Sequence, residues 1–327
     1  MKPILLSGIQ PTGQLHLGNY LGALKNFVDL QNSGRYQCYF FIADLHSLTE
    51  NFRPKEKSRQ IFDLLADYLA AGLNPKKATV FVQSDVPAHS ELAWLLSTIT
   101  YFGELGRMTQ FKDKAKTQKQ NVNIGLFTYP ILMTADVLLY DAQYVPVGED
   151  QIQHLEFTRE LARRFNKKFG RTFTEPEPLL TETPCLASLT DPAKKMSKSQ
   201  PQGCLFLDDP PAVIKQKIMS ATTDSGKEIK YRPQKKGGVS NLLLIYSSLS
   251  GKTISQLEKI FKNKGYAELK KSLAQITADY FQAHRAKKSK IAGNKSLLAQ
   301  ATKLGKRKAG KVAAAKIKTV KEKLGLI

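Results

Sequence analysis

The sequence predicts an α/β fold: a parallel sheet with its connecting helices, followed by an all-helical C-terminal region. Three observations carry this. Short apolar runs alternate with helical patterns over roughly the first half of the chain, and such alternation with short loops marks βαβ units and a parallel sheet. Beyond Asp208 the alternation stops, and the stretches 255–262, 266–285 and 295–324 all read as helix. Hydrophobic residues make up 42% of 327 residues, enough to form a packed core in a chain whose length suits about two domains.

The elements follow in order. Residues 4–7 form a short apolar run that ends in Gly8, with Pro11, Thr12 and Gly13 as the loop after it. A helical pattern covers about 17–30. Residues 39–43 are apolar and aromatic, as in a strand buried on both faces. Pro54 opens a helix whose Ile61, Leu64, Leu65 and Leu69 share a face, and Gly72 closes it. A third strand at 80–83 precedes a helix over about 89–100. Residues 127–140 are a long apolar helix interrupted by Asp136, 144–147 a short strand, and 150–164 a charged helix. A boundary near 205 divides a sheet domain, 1–205, from a helical domain, 206–327. Ligands of parallel sheets bind at the carboxyl ends of strands, where 8–13 and 44–46 fall.

Charge narrows the partners. Lys and Arg number 50 against 28 Asp and Glu, a net +22, which points to a polyanionic partner. Between His284 and Ile327 fourteen basic residues face one acid, Glu322, so +13 lies in that segment. Its Ala309, Ala313, Ile317, Val320, Leu324 and Ile327 recur at helical spacing, which predicts a packed helix with a basic outer face rather than a disordered tail. No apolar run reaches the length of a membrane span, and the N-terminus does not read as a signal peptide. Cys38, Cys185 and Cys204 are too few and scattered for a disulfide framework or a metal site. The expectation is a soluble, cytoplasmic protein with no membrane partner and no protein metal site.

Two motifs carry chemistry. Lys195-Met196-Ser197-Lys198-Ser199 puts two lysines and two hydroxyls on one loop, suited to gripping a polyphosphate and neutralising charge on a leaving group. Pro11-Thr12-Gly13-Gln14-Leu15-His16-Leu17-Gly18-Asn19-Tyr20 follows the first strand. Glycine there admits a nucleotide close to the backbone at a helix start, where free N–H groups favour phosphate. His16 and Asn19 lie one turn apart and can face the same ligand. Asp136 is the third feature. A carboxylate in an apolar helix must be paired, and the sequence leaves open whether it meets a buried Lys or Arg or a ligand N–H.

In this order, the two motifs resemble the "HIGH" and "KMSKS" signatures of class I aminoacyl-tRNA synthetases. The stretch Leu5-Leu6-Ser7-Gly8-Ile9-Gln10-Pro11-Thr12-Gly13, the run 107–112 (Arg-Met-Thr-Gln-Phe-Lys), Met133-Thr134-Ala135-Asp136 and Val145-Pro146-Val147-Gly148-Glu149-Asp150-Gln151 resemble the bacterial-type tryptophanyl members, and the resemblance spans essentially the whole chain. It implies a Rossmann-like catalytic domain, a helical tRNA (anticodon)-binding domain, and activation of tryptophan by ATP, with Mg2+ carried on the phosphates, before transfer to tRNA(Trp). It also implies a homodimer joined through helices between about 85 and 145, with no role for DNA.

The resemblance assigns roles residue by residue. Gln10, Pro11, Thr12, Gly18 and Asn19 resemble ATP-contacting positions, Gly148, Glu149 and Asp150 those around the ribose, and Leu186 one that touches adenine. Lys195, Met196, Ser197, Lys198 and Ser199 would hold the phosphates, with Lys195, Lys198, Gln10 and His16 as the catalytic set. Tryptophan would meet Asp136 through its indole N–H, with Met133 and Leu6 lining the pocket and Tyr129, His46 and Gln151 holding the ammonium and carboxylate. Three departures stand out. Leu6 is where some relatives have Phe, Gly106 is where an acid often precedes the 107–112 run, and the C-terminal helix is more basic than the pattern requires. Asn19 in the last "HIGH" position is usual among the tryptophanyl members. Rival readings are a tyrosyl-tRNA synthetase, which shares the Gly-x-Asp-Gln element at 148–151; a small-molecule nucleotidyltransferase of similar fold; and a non-catalytic nucleic-acid-binding protein, suggested by 308–316.

Overall fold

The computed structural model describes residues 2–112, 122–180, 186–198 and 200–327; Ser199 and Cys185 lie outside them. In chain order the elements are β1 (Ile4–Ile9), α1 (Leu17–Asn19), a π-helical turn (Tyr20–Leu24), α2 (Lys25–Asn32), β2 (Gln37–Ile42), α3 (Pro54–Ala71), β3 (Thr79–Val82), α4 (Ala88–Ser97), α5 (Phe102–Gly106) and α6 (Ile124–Leu138). There follow β4 (Tyr144–Val147), α7 (Ile152–Phe169), β5 (Glu177–Leu180), α8 (Pro211–Met219), α9 (Gly237–Ser250), α10 (Ile254–Ile260), α11 (Tyr266–Tyr280), α12 (Gln282–Ala292) and α13 (Lys295–Lys323). Among the described residues no helix is long and apolar enough to cross a membrane.

The chain divides into two compact units, one of Met1–Thr12, Asn26–Thr181 and Asn294–Ile327, the other of Gly13–Lys25 and Glu182–Gly293. The contacts therefore do not part at a single cut near 205. The first unit holds a five-stranded sheet in the order β3-β2-β1-β4-β5, every pairing parallel. β2 runs alongside β1 from Ile4↔Gln37 to Ile9↔Ile42. The order reverses between β1 and β4, so the carboxyl ends of these two strands flank the crevice where doubly wound sheets bind ligands. Residues 10–12 and 148–151 follow those ends.

The fifth strand escapes sequence reading because Pro176 and Pro178 break its pattern. Among the described residues β5 pairs only with β4, and an edge strand tolerates proline because its outer N–H groups need no partner.

The C-terminal helix forms as its periodicity predicts, but it belongs to the sheet unit. Ala309, Ala313 and Val320 are fully buried and Ile317 nearly so, while Ile327 is exposed. Small residues let α13 lie close to β3: a Cβ on Gly305 would sit 1.8 Å from the Val80 carbonyl oxygen. Several of its lysines fasten it. Lys316 Nζ meets Asp141 Oδ2 at 2.6 Å and donates to the Thr172 carbonyl at 2.8 Å, Lys308 Nζ donates to the Pro75 carbonyl at 3.0 Å, and Lys321 pairs with Glu91 at 3.1 Å. Part of the +13 segment thus anchors the helix.

The second unit is mostly helical, from α8 to α12. The stretch expected as one helix over 266–285 is two, divided at Phe281 (φ −92°, ψ 1°). The helix expected over 17–30 contains the π-helical turn, a feature frequent at functional sites.

Candidate functional site

In the sheet unit, Asp136 sits on α6 with 1% exposure. Its Oδ1 accepts from Gln83 Nε2 at 2.7 Å and His89 Nδ1 at 2.6 Å, and its Oδ2 lies 2.7 Å from His46 Nε2. The sequence had left a Lys or Arg, or a ligand N–H, as its partner; two histidines and an amide meet it instead. Burial pushes the carboxyl's pKa up, but the two histidines and their hydrogen bonds outweigh burial and hold it below the usual range. The group is therefore an anion, an acceptor on both oxygens. A carboxylate has about four acceptor positions. Three are filled among the described residues, which leaves one on Oδ2.

The neighbours of this carboxylate are fixed in turn. Gln83 Oε1 accepts the Leu45 N–H at 3.1 Å, which orients the amide so that Nε2 faces Asp136. His89 Nε2 lies 2.9 Å from the Tyr140 hydroxyl, and Gln83, His89 and Tyr140 are all at most 1% exposed. Gln83 ends the run read as the third strand and His89 lies near the start of the following helix. Neither was singled out as a site residue. Nothing in their spacing marks them, and the one available signal was that a buried carboxylate requires donors from elsewhere in the chain.

The other residues assigned to the amino acid also belong to the sheet unit. His46 is 7% exposed, its Nε2 committed to Asp136, and its ring stands edge-on to Tyr129 with centroids 6.3 Å apart. The Tyr129 hydroxyl contacts His154 Nε2 at 2.8 Å, and burial raises its pKa to about 12. His154, 1% exposed on α7, was not foreseen. Met133 is half-buried one turn before Asp136. Leu6, 2% exposed, packs in the same apolar cluster as Tyr39, Phe41 and Ala135. Gln151 donates to Asp150 Oδ2 at 2.9 Å.

The run 107–112 acquires a structural role. Gln110 Nε2 donates to Asp150 Oδ2 at 3.0 Å and to its carbonyl at 3.1 Å, and Thr109 donates through N and Oγ1 to Gln153 Oε1. These bonds hold the turn after β4, which contains Gly148, Glu149 and Asp150. A Cβ on Gly148 would lie 2.8 Å from Asp150 Oδ1, so a larger residue there would displace the Asp150 carboxylate. At the end of β1, half-buried Gln10 accepts the Thr12 N–H at 3.0 Å through its carbonyl, and Pro11 is buried. Nothing lies within 4 Å of a Cβ built on Gly106.

The second unit brings the two sequence motifs together. His16 caps α1: its Nδ1 accepts the Asn19 N–H at 3.2 Å, while Asn19 Oδ1 accepts the His16 N–H at 3.3 Å. Burial, and then the positive charges of Lys198 and Lys195, lower the His16 pKa to about 4. The ring is neutral near pH 7. Because Nδ1 accepts, Nε2 carries the proton and is a donor. Gly18 leaves room for the ring, since a Cβ there would be 3.0 Å from His16 Cε1 and Nδ1.

Lys198 Nζ donates to the Gly13 carbonyl at 3.2 Å, and Gly13 has φ +100°, a conformation that favours glycine. The loop carrying Lys195 and Lys198 folds back on 186–188: Ala187 bridges Lys195, Met196 N–H donates to the Leu186 carbonyl at 2.9 Å, and Ser188 N–H to the Lys194 carbonyl at 2.8 Å. Asn241 bonds both backbone groups of Ala187 at 2.9 Å. Leu186 and Met196 are 2% and 3% exposed, while Lys195 and Ser197 are exposed. Alternation along this stretch buries the apolar side chains and presents the polar ones.

Residues 1–282 match the family model described as tRNA synthetases class I (W and Y). A tryptophan–tRNA ligase of Caldanaerobacter subterraneus subsp. tengcongensis is 50% identical over 326 residues, 99% of this chain and 98% of that protein. Among solved structures, tryptophanyl-tRNA synthetase from Mycoplasma pneumoniae is similar with TM-score 0.89 and 38% identity, covering 99% of this chain and 98% of that one. The Campylobacter jejuni tryptophanyl-tRNA synthetase, complexed with ADP and tryptophan, is similar with TM-score 0.84 and 34% identity, covering 98% and 99%.

Proposed function

The chain belongs to the class I tRNA synthetases for tryptophan and tyrosine, and from that membership we propose how its own residues carry the reaction. It is an ATP-dependent tryptophan–tRNA ligase. Tryptophan's carboxylate oxygen attacks the α-phosphorus of ATP, the bond to the β-phosphate bridging oxygen breaks, and pyrophosphate leaves. A ribose hydroxyl at the 3′ end of tRNA(Trp) then attacks the acyl carbon of the mixed anhydride, and AMP departs.

A carboxylate is already a nucleophile, so the first step needs no general base; positioning and charge stabilisation on phosphate supply the acceleration. In the second unit, Lys195 and Lys198 hold the phosphates and neutralise the departing pyrophosphate, with Mg2+ accompanying the nucleotide. Neutral His16 donates from Nε2 to a phosphate oxygen, a role that its low pKa and the bond on Nδ1 support. Gly18 and Asn19 keep that ring in place. Ser197 and Ser199 add hydroxyl donors, and Leu186 and Met196 form the apolar backing of the loop. In the sheet unit, Gln10, Pro11, Thr12, Gly148, Glu149 and Asp150 line the switch-point crevice and contact the nucleotide.

One observation carries the reading of the amino-acid pocket: the buried, ionised Asp136 keeps a single acceptor position, which matches the single polar atom of indole, an N–H donor. Met133 and Leu6 line the pocket, Tyr129 and Gln151 lie toward the polar end of tryptophan, and His46, bonded to Asp136 Oδ2, stands at the indole end instead of holding the ammonium or carboxylate. The mostly helical second unit faces tRNA through its basic surface. The protein works in the cytoplasm as a homodimer. Trp94 (71% exposed), Tyr101 (65%), Phe102 (80%) and Ile124 (76%) support the dimer, because an exposed apolar patch of this kind marks an interaction surface.

The test is amino-acid-dependent ATP–pyrophosphate exchange. Tryptophan should support it and tyrosine should not. Lys195→Ala should lower the activation rate by about 100-fold or more while tryptophan affinity changes by less than about threefold. An unchanged rate would remove Lys195 from the phosphate site.

A further inference from the structure

The reading of Asp136 as the indole acceptor leaves unexplained how the chain makes one carboxylate present a single, fixed acceptor. The surrounding groups supply the answer. Both acceptor positions of Oδ1 are filled, by Gln83 Nε2 at 2.7 Å and His89 Nδ1 at 2.6 Å. The direction of each bond follows from the ionised carboxylate, which only accepts. His89 therefore bears a proton on Nδ1, and its Nε2 lies in hydrogen-bond contact with the Tyr140 hydroxyl at 2.9 Å. The result is a bonded row, Tyr140 to His89 to Asp136 Oδ1, in which His89 donates to the carboxylate. The His89 ring cannot turn out of it: it is 0% exposed and packed among the rings of Phe41, Phe81 and Tyr140, with centroids 6.2, 6.0 and 5.5 Å away.

We propose that His89, fixed by Tyr140 and seconded by Gln83, is a specificity-determining positioning residue: it saturates Asp136 Oδ1 and so directs the one remaining acceptor position, on Oδ2, at the indole N–H. His89 does not touch the substrate. It acts through Asp136, and the proposal rests on the reading of Asp136 given above. Without His89 the carboxylate regains an acceptor position and rotational freedom. The site then satisfies Asp136 with water or by turning, and an amino acid lacking the N–H is no longer penalised by a buried, unpaired acceptor.

The experiment compares tryptophan with 3-benzothienylalanine, in which sulfur replaces the N–H in a ring of nearly the same shape. The readout is the ratio of kcat/KM values in ATP–pyrophosphate exchange. His89→Leu should lower that ratio by about 10-fold or more, in line with a hydrogen bond to a charged group, with KM for ATP within about twofold of the wild type. His89→Asn, whose amide nitrogen stands where Nδ1 stood, should restore most of the ratio. Tyr140→Phe, which removes one oxygen from an otherwise identical ring, should lower it about fivefold and serves if His89→Leu does not fold. A ratio unchanged in both Tyr140→Phe and a folded His89 variant, or both substrates losing equally, overturns the positioning role. If the wild-type enzyme itself uses the two amino acids equally well, it is the reading of Asp136 as indole acceptor that fails.

Discussion

Gly18→Ala separates the stability of the first helix from the chemistry it serves. The new Cβ would lie 3.0 Å from His16 Cε1 and Nδ1, where carbon contacts settle at about 3.5–4.0 Å. The ring must therefore move by roughly half an ångström. Its Nδ1 accepts the Asn19 N–H at 3.2 Å, already at the long end of the normal range, so that displacement breaks the bond. Losing a helix cap costs about 1 kcal/mol, and replacing glycine by alanine in the first turn returns up to about 1 kcal/mol. The melting temperature should stay within about 3 °C of the wild type.

Activity responds differently. Misplacing a catalytic group by about 1 Å lowers rates about 100-fold, so half that displacement, with His16 also free to change tautomer, should lower kcat/KM for ATP by about 10-fold or more in pyrophosphate exchange. Adding Gly18→Ala to His16→Asn should then cost less than about twofold, because the ring it displaces is gone. An unchanged rate in the single variant refutes the role of the ring. Full additivity in the double variant means that the methyl acts on ATP directly and not through His16.

Two further outcomes follow from the same geometry. The His16 pKa is lowered to about 4 from 6.5, so between these values the unfolded chain binds a proton that the folded chain does not. The contribution of this residue is intact above about pH 6.5 and lost as pH falls toward 4, about 3 kcal/mol in all; urea melts at pH 7 and 4.5 should show a smaller loss in His16→Asn than in the wild type. Gly305→Ala places a methyl 1.8 Å from the Val80 carbonyl oxygen, which forces α13 off β3. It should cost about 1–3 kcal/mol, read as a melting temperature lowered by several degrees.

Much of the proposed phosphate site was legible because its residues are local. His16, Gly18 and Asn19 cap one another within four residues, and Lys195 and Lys198 share a loop, so spacing in sequence is nearly spacing in space. Asp136 was legible for another reason: a carboxylate in an apolar helix violates the pattern. Its partners were not. Gln83 and His89 lie 53 and 47 residues from it, and a single polar residue at the end of a strand or the start of a helix points nowhere until the sheet is assembled. The Arg-Met-Thr-Gln run was visible as a motif, yet only its bonds to Asp150 and Gln153 give it a physical task. Pro178 concealed an edge strand that proline is free to enter.

The +13 segment marks the division most clearly. The sequence alone determined that residues 295–324 form a helix with one apolar stripe, because side chains every three to four residues share a face whatever the surroundings. What that stripe faces depends on contacts hundreds of residues away. The sequence assigned it to a C-terminal helical domain, whereas Gly305, Ala309 and Ala313 are small enough to bring it against β3, and Lys308, Lys316 and Lys321 fasten it to the sheet unit. Periodicity is a local property of the backbone and is written in the chain; the partner is a property of shape and charge complementarity, which exists only once the distant strands have been brought together.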